Sequence, residues 1–207
     1  MTASAQFKRT PLAMALLGIL HLEPMHPYAI QRRIKEWGKD KVVNVGQRAG
    51  LYKTIARLQE AGLVAVRETG RDQQYPERTV YEITEAGRAA CATWLADMVA
   101  VPRNEFPEFP AALSFLMLLG PDGAREELTR RADTLQSILT EMGEDAVQAA
   151  SMHLPRVVML EDEYLRAMTE AELRWVRSVI ADLVAGTLTW SWESLAPHQE
   201  TSPATGS

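Results

Sequence analysis

Apolar positions along the first hundred residues switch between a helical and a strand period. Leu12, Leu16, Ile19 and Leu20 recur at three- and four-residue intervals behind Pro11, a residue suited to a first helical turn. Ile30, Ile34 and Trp37 share a face of a second helix, opened by Pro27 and ended by Gly38. Asn44 and Gln47 form a capping pair ahead of a third helix, which stops at Gly62. Its Leu51, Ile55 and Leu58 lie within about 60° of one another at 100° per residue. Residues 64–69 and 79–84 are rich in strand formers and flank a long polar stretch, the pattern of a hairpin. Thr84 can cap a fourth helix that runs through Cys91 and Trp94 to about residue 99.

The second half reads as helix throughout. A short apolar segment over 110–119 ends at Gly120 and Pro121. Over 122–152, Leu128, Leu135, Met142 and Ala149 repeat every seven residues, with Ile138 and Leu139 at the other seam position. Pro155 opens a last long helix to about residue 192. One stripe of it holds Tyr164, Met168, Trp175 and Val179, and Leu165, Val176, Ile180, Leu183 and Val184 lie beside it. The three prolines of 101–110 mark a connector, and the small polar residues of 196–207 read as a disordered tail. The expected organisation is a domain over 1–100, a helical domain over 101–195 and the tail.

The apolar run at 12–22 follows Lys8 and Arg9, which superficially resembles a secretory signal. It is shorter than the roughly 20 residues a bilayer requires, and no small-x-small cleavage site follows. The buried first helix is the better reading, and a cytoplasmic protein without a membrane anchor is expected. The single cysteine excludes an internal disulfide framework and a multi-cysteine zinc site.

Taken whole, the formal net charge of −5 over 207 residues argues against nucleic acid as a partner. Divided, it says the opposite. Residues 1–94 hold 14 Lys and Arg against 9 Asp and Glu, and residues 95–207 hold 8 against 18. All five lysines fall in the first 53 residues. The basic half suits a phosphate backbone, and the acidic half suits self-association.

The third helix carries the functional pattern. Opposite its apolar seam lie Gly46, Ala49, Gly50, Lys53, Ala56, Arg57 and Glu60, a slim face with two cations. Such a face can enter a major groove while long side chains reach bases and phosphates. Gln47, Arg48 and Tyr52 border it. The hairpin tip adds Arg71, Gln73, Gln74 and Arg78, suited to a phosphate backbone or a minor groove. Three helices, a basic third helix and a basic hairpin make the layout of a winged helix-turn-helix. The fold class expected is mainly α, a winged helix-turn-helix with a two-stranded wing followed by an all-helical dimerisation domain.

Pro11-Leu12-Ala13, His26-Pro27-Tyr28, the run from Leu51 to Leu58, Ala61-Gly62-Leu63-Val64 and Tyr81-Glu82-Ile83-Thr84-Glu85-Ala86-Gly87 together resemble the PadR family of bacterial transcriptional regulators. The acidic half is similar, more loosely, to the helical dimerisation domain of its larger, virulence-activator-like subgroup. The resemblance implies a homodimer on a pseudo-palindromic operator, its recognition helices about 34 Å or a multiple apart. It implies a repressor relieved by a small molecule or another signal. Gln47, Arg48, Tyr52, Lys53, Arg57, Arg71 and Arg78 are the expected DNA contacts. Where the family often carries a hydroxyl residue before its Leu-Tyr pair, this chain has Gly50, so that contact is not carried over.

Other signals are weaker. Trp94 and Trp175 are candidates for holding a flat aromatic effector, against ordinary packing. Glu161, Asp162 and Glu163 point in different directions on a helix and read as a solvated face rather than a metal site. Cys91 reads as a buried thiol. No catalytic constellation and no cofactor motif is present, which speaks against an enzyme. The remaining alternative is a winged helix that binds protein without specific DNA recognition, but such a surface needs no basic arc.

Overall fold

Thr10 opens the first helix, α1 (Pro11–Leu22), by accepting a hydrogen bond from the Ala13 backbone N–H at 3.1 Å. His26 does the same for α2 (Pro27–Glu36): its Nδ1 accepts from the Tyr28 N–H at 3.1 Å. That capping role was not legible in the sequence, where Pro27 alone marked the boundary. The computed structural model describes residues 7–45, 48–70 and 78–195. Gly46, Gln47, Arg71, Gln73, Gln74 and the expected tail at 196–207 lie outside them.

Helix α2 ends as Gly38 adopts φ +66°, and a single 3₁₀ turn at Lys39–Lys41 follows that the apolar pattern did not predict. Helix α3 (Arg48–Glu60) comes next and ends at Gly62, φ +71°, where the Leu63 N–H closes back onto the Leu58 carbonyl at 2.9 Å. Strands β1 (Val64–Gly70) and β2 (Arg78–Ile83) pair antiparallel, Val64 opposite Ile83 and Val66 opposite Tyr81. Helix α4 (Glu85–Ala100) begins at the Thr84 cap.

The chain divides into two units, Met1–Asn104 and Glu105–Ser207. The core of the first is built from Leu16, Leu17 and Leu20 of α1, Ile30 and Ile34 of α2, and Leu51, Ile55 and Leu58 of α3, all at most 1% exposed. The run at 12–22 is thus a core helix. Among the described residues no helix is long and apolar enough to cross a membrane.

In the second unit α5 (Glu108–Leu113) and a 3₁₀ turn at Leu116–Leu119 precede α6 (Gly120–Ser151) and α7 (Leu160–Ala185). Leu128, Ala132 and Leu135 of α6 pack against Leu173 and Val176 of α7, with Val179, Ile180 and Leu183 alongside. Arg131 lies over the Phe109 ring, 3.4 Å from its centroid, and its Nε donates to Glu172 at 2.6 Å. The last helix is shorter than expected. Gly186 takes φ +73° and ends α7, and the Asp182 carbonyl accepts bonds from both Leu188 N–H and Thr187 Oγ1. A separate short helix, α8 (Trp192–Leu195), follows, and Trp190 Nε1 donates to the Met117 carbonyl at 3.0 Å. The stripe assignment on α7 also changes. Val176 is buried and Leu173, unnamed in the pattern, is buried with it, whereas Tyr164, Met168, Trp175 and Val184 stay largely exposed.

Candidate nucleic-acid interface

Helices α2 and α3, with the turn between them, form the helix-turn-helix. Ile30 and Ile34 fix α2 to the core, and Leu51, Ile55 and Leu58 fix α3 with its other side outward. The turn is anchored as well. Val43 and Val45 are buried, and Gln31 Nε2 of α2 donates to the Val45 carbonyl at 3.0 Å. This bond spans 14 residues, so no local sequence signal announces it.

On α3 Ala49, Lys53, Ala56, Arg57 and Glu60 are exposed as the helical projection predicted, Gly50 is half-buried, and the bordering Tyr52 and the unforeseen Gln59 are exposed as well. Tyr52 is 49% exposed, high for an aromatic side chain with no core role. A Cβ placed on Gly50 would meet nothing within 4 Å. The glycine therefore answers no crowding inside the protein, and the slimness of this face is open to an outside partner. Arg48 begins the helix.

Arg57 has a contact inside the protein that the sequence did not reveal. Its guanidinium carbon lies 4.9 Å from the Phe7 ring centroid. Phe7 in turn stacks on Trp94 of α4, with centroids 5.4 Å apart and planes 18° apart. Arg9 pairs with Asp97 at 2.7 Å beside this stack in sequence. The far end of the recognition helix is thereby tied to residues 7–9 and to α4 through cation–π and ring contacts.

The wing is joined to the helices at three places. Met25, in the link between α1 and α2, exchanges both backbone hydrogen bonds with Tyr81 at 2.9 and 3.1 Å, adding a one-residue third strand. Thr84 Oγ1 donates to the Gly62 carbonyl at 2.7 Å and accepts from Gly87 N–H at 3.0 Å, linking the end of α3 to the start of α4. Leu63 carbonyl accepts from Thr84 N–H at 3.1 Å. Along β1 the register slips between Val66 and Glu68, leaving Arg67 as a bulge residue, half exposed, in the strand leading to the tip. Arg78 opens β2 directly after the tip.

The candidate effector residues are not brought together in one unit. Trp94 belongs to the first, under Phe7, and Trp175 belongs to the second, edge-on to Phe109 at 6.1 Å. Cys91 is buried, and burial pushes its thiol pKa up, which disfavours the reactive thiolate. Among the described residues no group of three His, Cys, Asp or Glu side chains is placed to hold a metal ion.

Residues 16–93 match the family described as the transcriptional regulator PadR-like family. No curated protein matches the chain. Among solved structures, the chain is similar to Bacillus subtilis PadR in complex with operator DNA, with a TM-score of 0.70 and 18% identity over 84% of this chain and 99% of that one. The same PadR in complex with p-coumaric acid aligns with a TM-score of 0.68 and 18% identity, over 83% of this chain and 98% of that one. The Vibrio cholerae virulence activator AphA aligns with a TM-score of 0.63 and 21% identity, over 84% and 98%. At these identities the likenesses show a common fold, the winged helix-turn-helix with long C-terminal helices. The family itself is one of transcriptional regulators rather than enzymes. The chain carries, over residues 16–93, a domain of the PadR-like family of transcriptional regulators.

Proposed function

We propose that the protein is a homodimeric, sequence-specific DNA-binding regulator, acting in the cytoplasm as a repressor relieved by a small molecule or another signal. The observation that carries the reading is the exposed face of α3, slim and cationic opposite a fully buried seam. Residues 1–100 read the operator, and residues 101–195 join the two copies. Tyr164, Met168, Trp175 and Val184 on α7 support that division, because so many large apolar side chains exposed on one helix mark an interaction surface. The acidic charge of this half keeps it off the duplex. Gln47, Arg48, Tyr52 and Lys53 meet the major groove, and Arg71 and Arg78 meet the backbone or minor groove beside it. Repression and an aromatic effector are supported by the operator-bound and p-coumaric-acid-bound neighbours. Trp94 and Trp175 are the aromatic candidates for that effector.

The test is affinity for a duplex from the protein's own promoter region, measured at several salt concentrations against a random duplex. Specific binding with log affinity falling linearly with log salt supports the proposal. Equal affinity for both duplexes overturns sequence-specific regulation.

Lys53→Ala, which removes one phosphate contact from each copy of the dimer, is expected to weaken duplex binding roughly 60-fold near 0.1 M salt without lowering Tm. Arg57→Ala is expected to weaken binding and also to lower Tm by a few degrees, because it removes the contact with Phe7. Anisotropy and thermal melts on the two variants separate these outcomes. Wild-type affinity in both would remove α3 from the interface.

A further inference from the structure

Arg57 is the cation of α3 farthest from the start of that helix. It stands nine residues after Arg48, about 14 Å along the axis at 1.5 Å per residue. Recognition helices meet base edges with their N-terminal residues, and a major groove is about 12 Å wide. On a helix inserted that way, an exposed arginine so far along is level with the phosphates at the rim rather than with a base.

A ring holds this arginine, not a carboxylate. Its guanidinium carbon lies 4.9 Å from the Phe7 ring centroid. Among the described residues no ion pair takes in Arg57, although Glu60 follows three positions on. The difference matters for binding. A carboxylate would occupy the guanidinium N–H donors and offset the charge. A ring face attracts the cation and leaves both to a phosphate.

Phe7 is itself fixed. Its ring stacks on Trp94, and two residues on, Arg9 pairs with Asp97 at 2.7 Å. Trp94 and Asp97 are three apart on α4 and share one of its faces. Thr10 then caps α1. Residues 7–10 are thus clamped at three points, and a half-buried, ordered ring stands beside the last turn of α3. An arginine that grips a phosphate gives up rotamer freedom. One already resting on a fixed ring has given up part of it on folding.

We propose that Phe7 is a positioning residue for DNA binding, which, braced by Trp94, presents Arg57 to the phosphodiester backbone. The proposal rests on the reading that α3 enters a major groove. The rival role is structural. Phe7 packs against the core of the winged unit, and Arg57 in the last turn of α3 favours the helix dipole. A structural contact lowers Tm and leaves affinity alone while the domain is folded.

The experiment is a double-mutant cycle on the full chain. Anisotropy with a labelled duplex from its own promoter region is read from about 50 to 200 mM salt, at a temperature where circular dichroism shows every variant folded. Phe7→Leu keeps the apolar bulk and removes the ring. It is expected to weaken binding about threefold per copy, about tenfold for the dimer, with the salt slope unchanged because no charge is lost. Phe7→Tyr keeps a ring and is expected to bind as wild type. Arg57→Ala is expected to shrink the slope by about 2, one phosphate from each copy. Added to Arg57→Ala, Phe7→Leu is expected to change affinity by less than about twofold. Equal loss from Phe7→Leu with and without Arg57 overturns the positioning role and leaves the α3 reading standing. So does wild-type affinity in Phe7→Leu when Arg57→Ala binds weakly. Tighter binding in Phe7→Leu also overturns it, since the ring would then detain the arginine. Wild-type affinity in Arg57→Ala overturns the proposal alone if Lys53→Ala is weakened, and the α3 reading with it if Lys53→Ala is not.

Discussion

Gly87→Ala is expected to destabilise the winged unit by about 3 kcal/mol, lowering Tm by more than about 10 °C. A Cβ at this position would lie 2.0 Å from the Leu63 carbonyl oxygen and 2.8 Å from Ile83 Cγ1. The oxygen cannot step aside cheaply. It accepts from Thr84 N–H, and the Leu63 N–H already closes the end of α3 onto Leu58. Relief would require the first turn of α4 to leave the wing, which breaks the Thr84 bonds to both Gly62 and Gly87. Gly18→Ala is the control, because a Cβ there meets nothing within 4 Å and α1 would gain helix propensity. Melting both variants settles the matter. A shift under about 2 °C at Gly87 would show that the α4–wing junction gives way far more easily than this geometry allows.

Val176→Asp is expected to unfold the helical unit and spare the winged one. Val176 is fully buried among Leu128, Ala132, Leu135 and Leu173, with no polar partner in that cluster. An unpaired carboxylate there costs several kcal/mol, comparable with the whole stability of a small domain. The winged core shares no residue with this cluster. Limited proteolysis should therefore leave a protected fragment of the first unit. On the proposed dimeric mode the variant should also lose its preference for the promoter duplex. Wild-type protease resistance in residues 120–185 would contradict the packing of α6 against α7.

What the sequence revealed depended on how far each interaction reaches along the chain. Leu51, Ile55 and Leu58 announced their seam because burial imposes a period of 3.6 on neighbouring residues. Leu128 and Leu135 announced the α6 contact for the same reason. The Met25–Tyr81 bridge left no trace, since a single extended residue has no period to read. The bond from Gln31 to Val45 and the Phe7–Trp94 stack join residues 14 and 87 positions apart, which one-dimensional patterning does not register. Helix α7 was read too long because Trp190 and Trp192 continued an apolar pattern past Gly186, where the left-handed backbone turns the chain away. Of the interface, the α3 face was legible as a helical projection. The contact of Arg57 with Phe7 and the bulge at Arg67 needed three dimensions.

The contact between Phe7 and Arg57 has a practical corollary for anyone handling the protein. A fluorophore placed at Phe7 itself sits against Arg57 of α3 and reports on that helix directly. Placed at Leu195 instead, the same fluorophore lies in the other unit and serves as the reference signal.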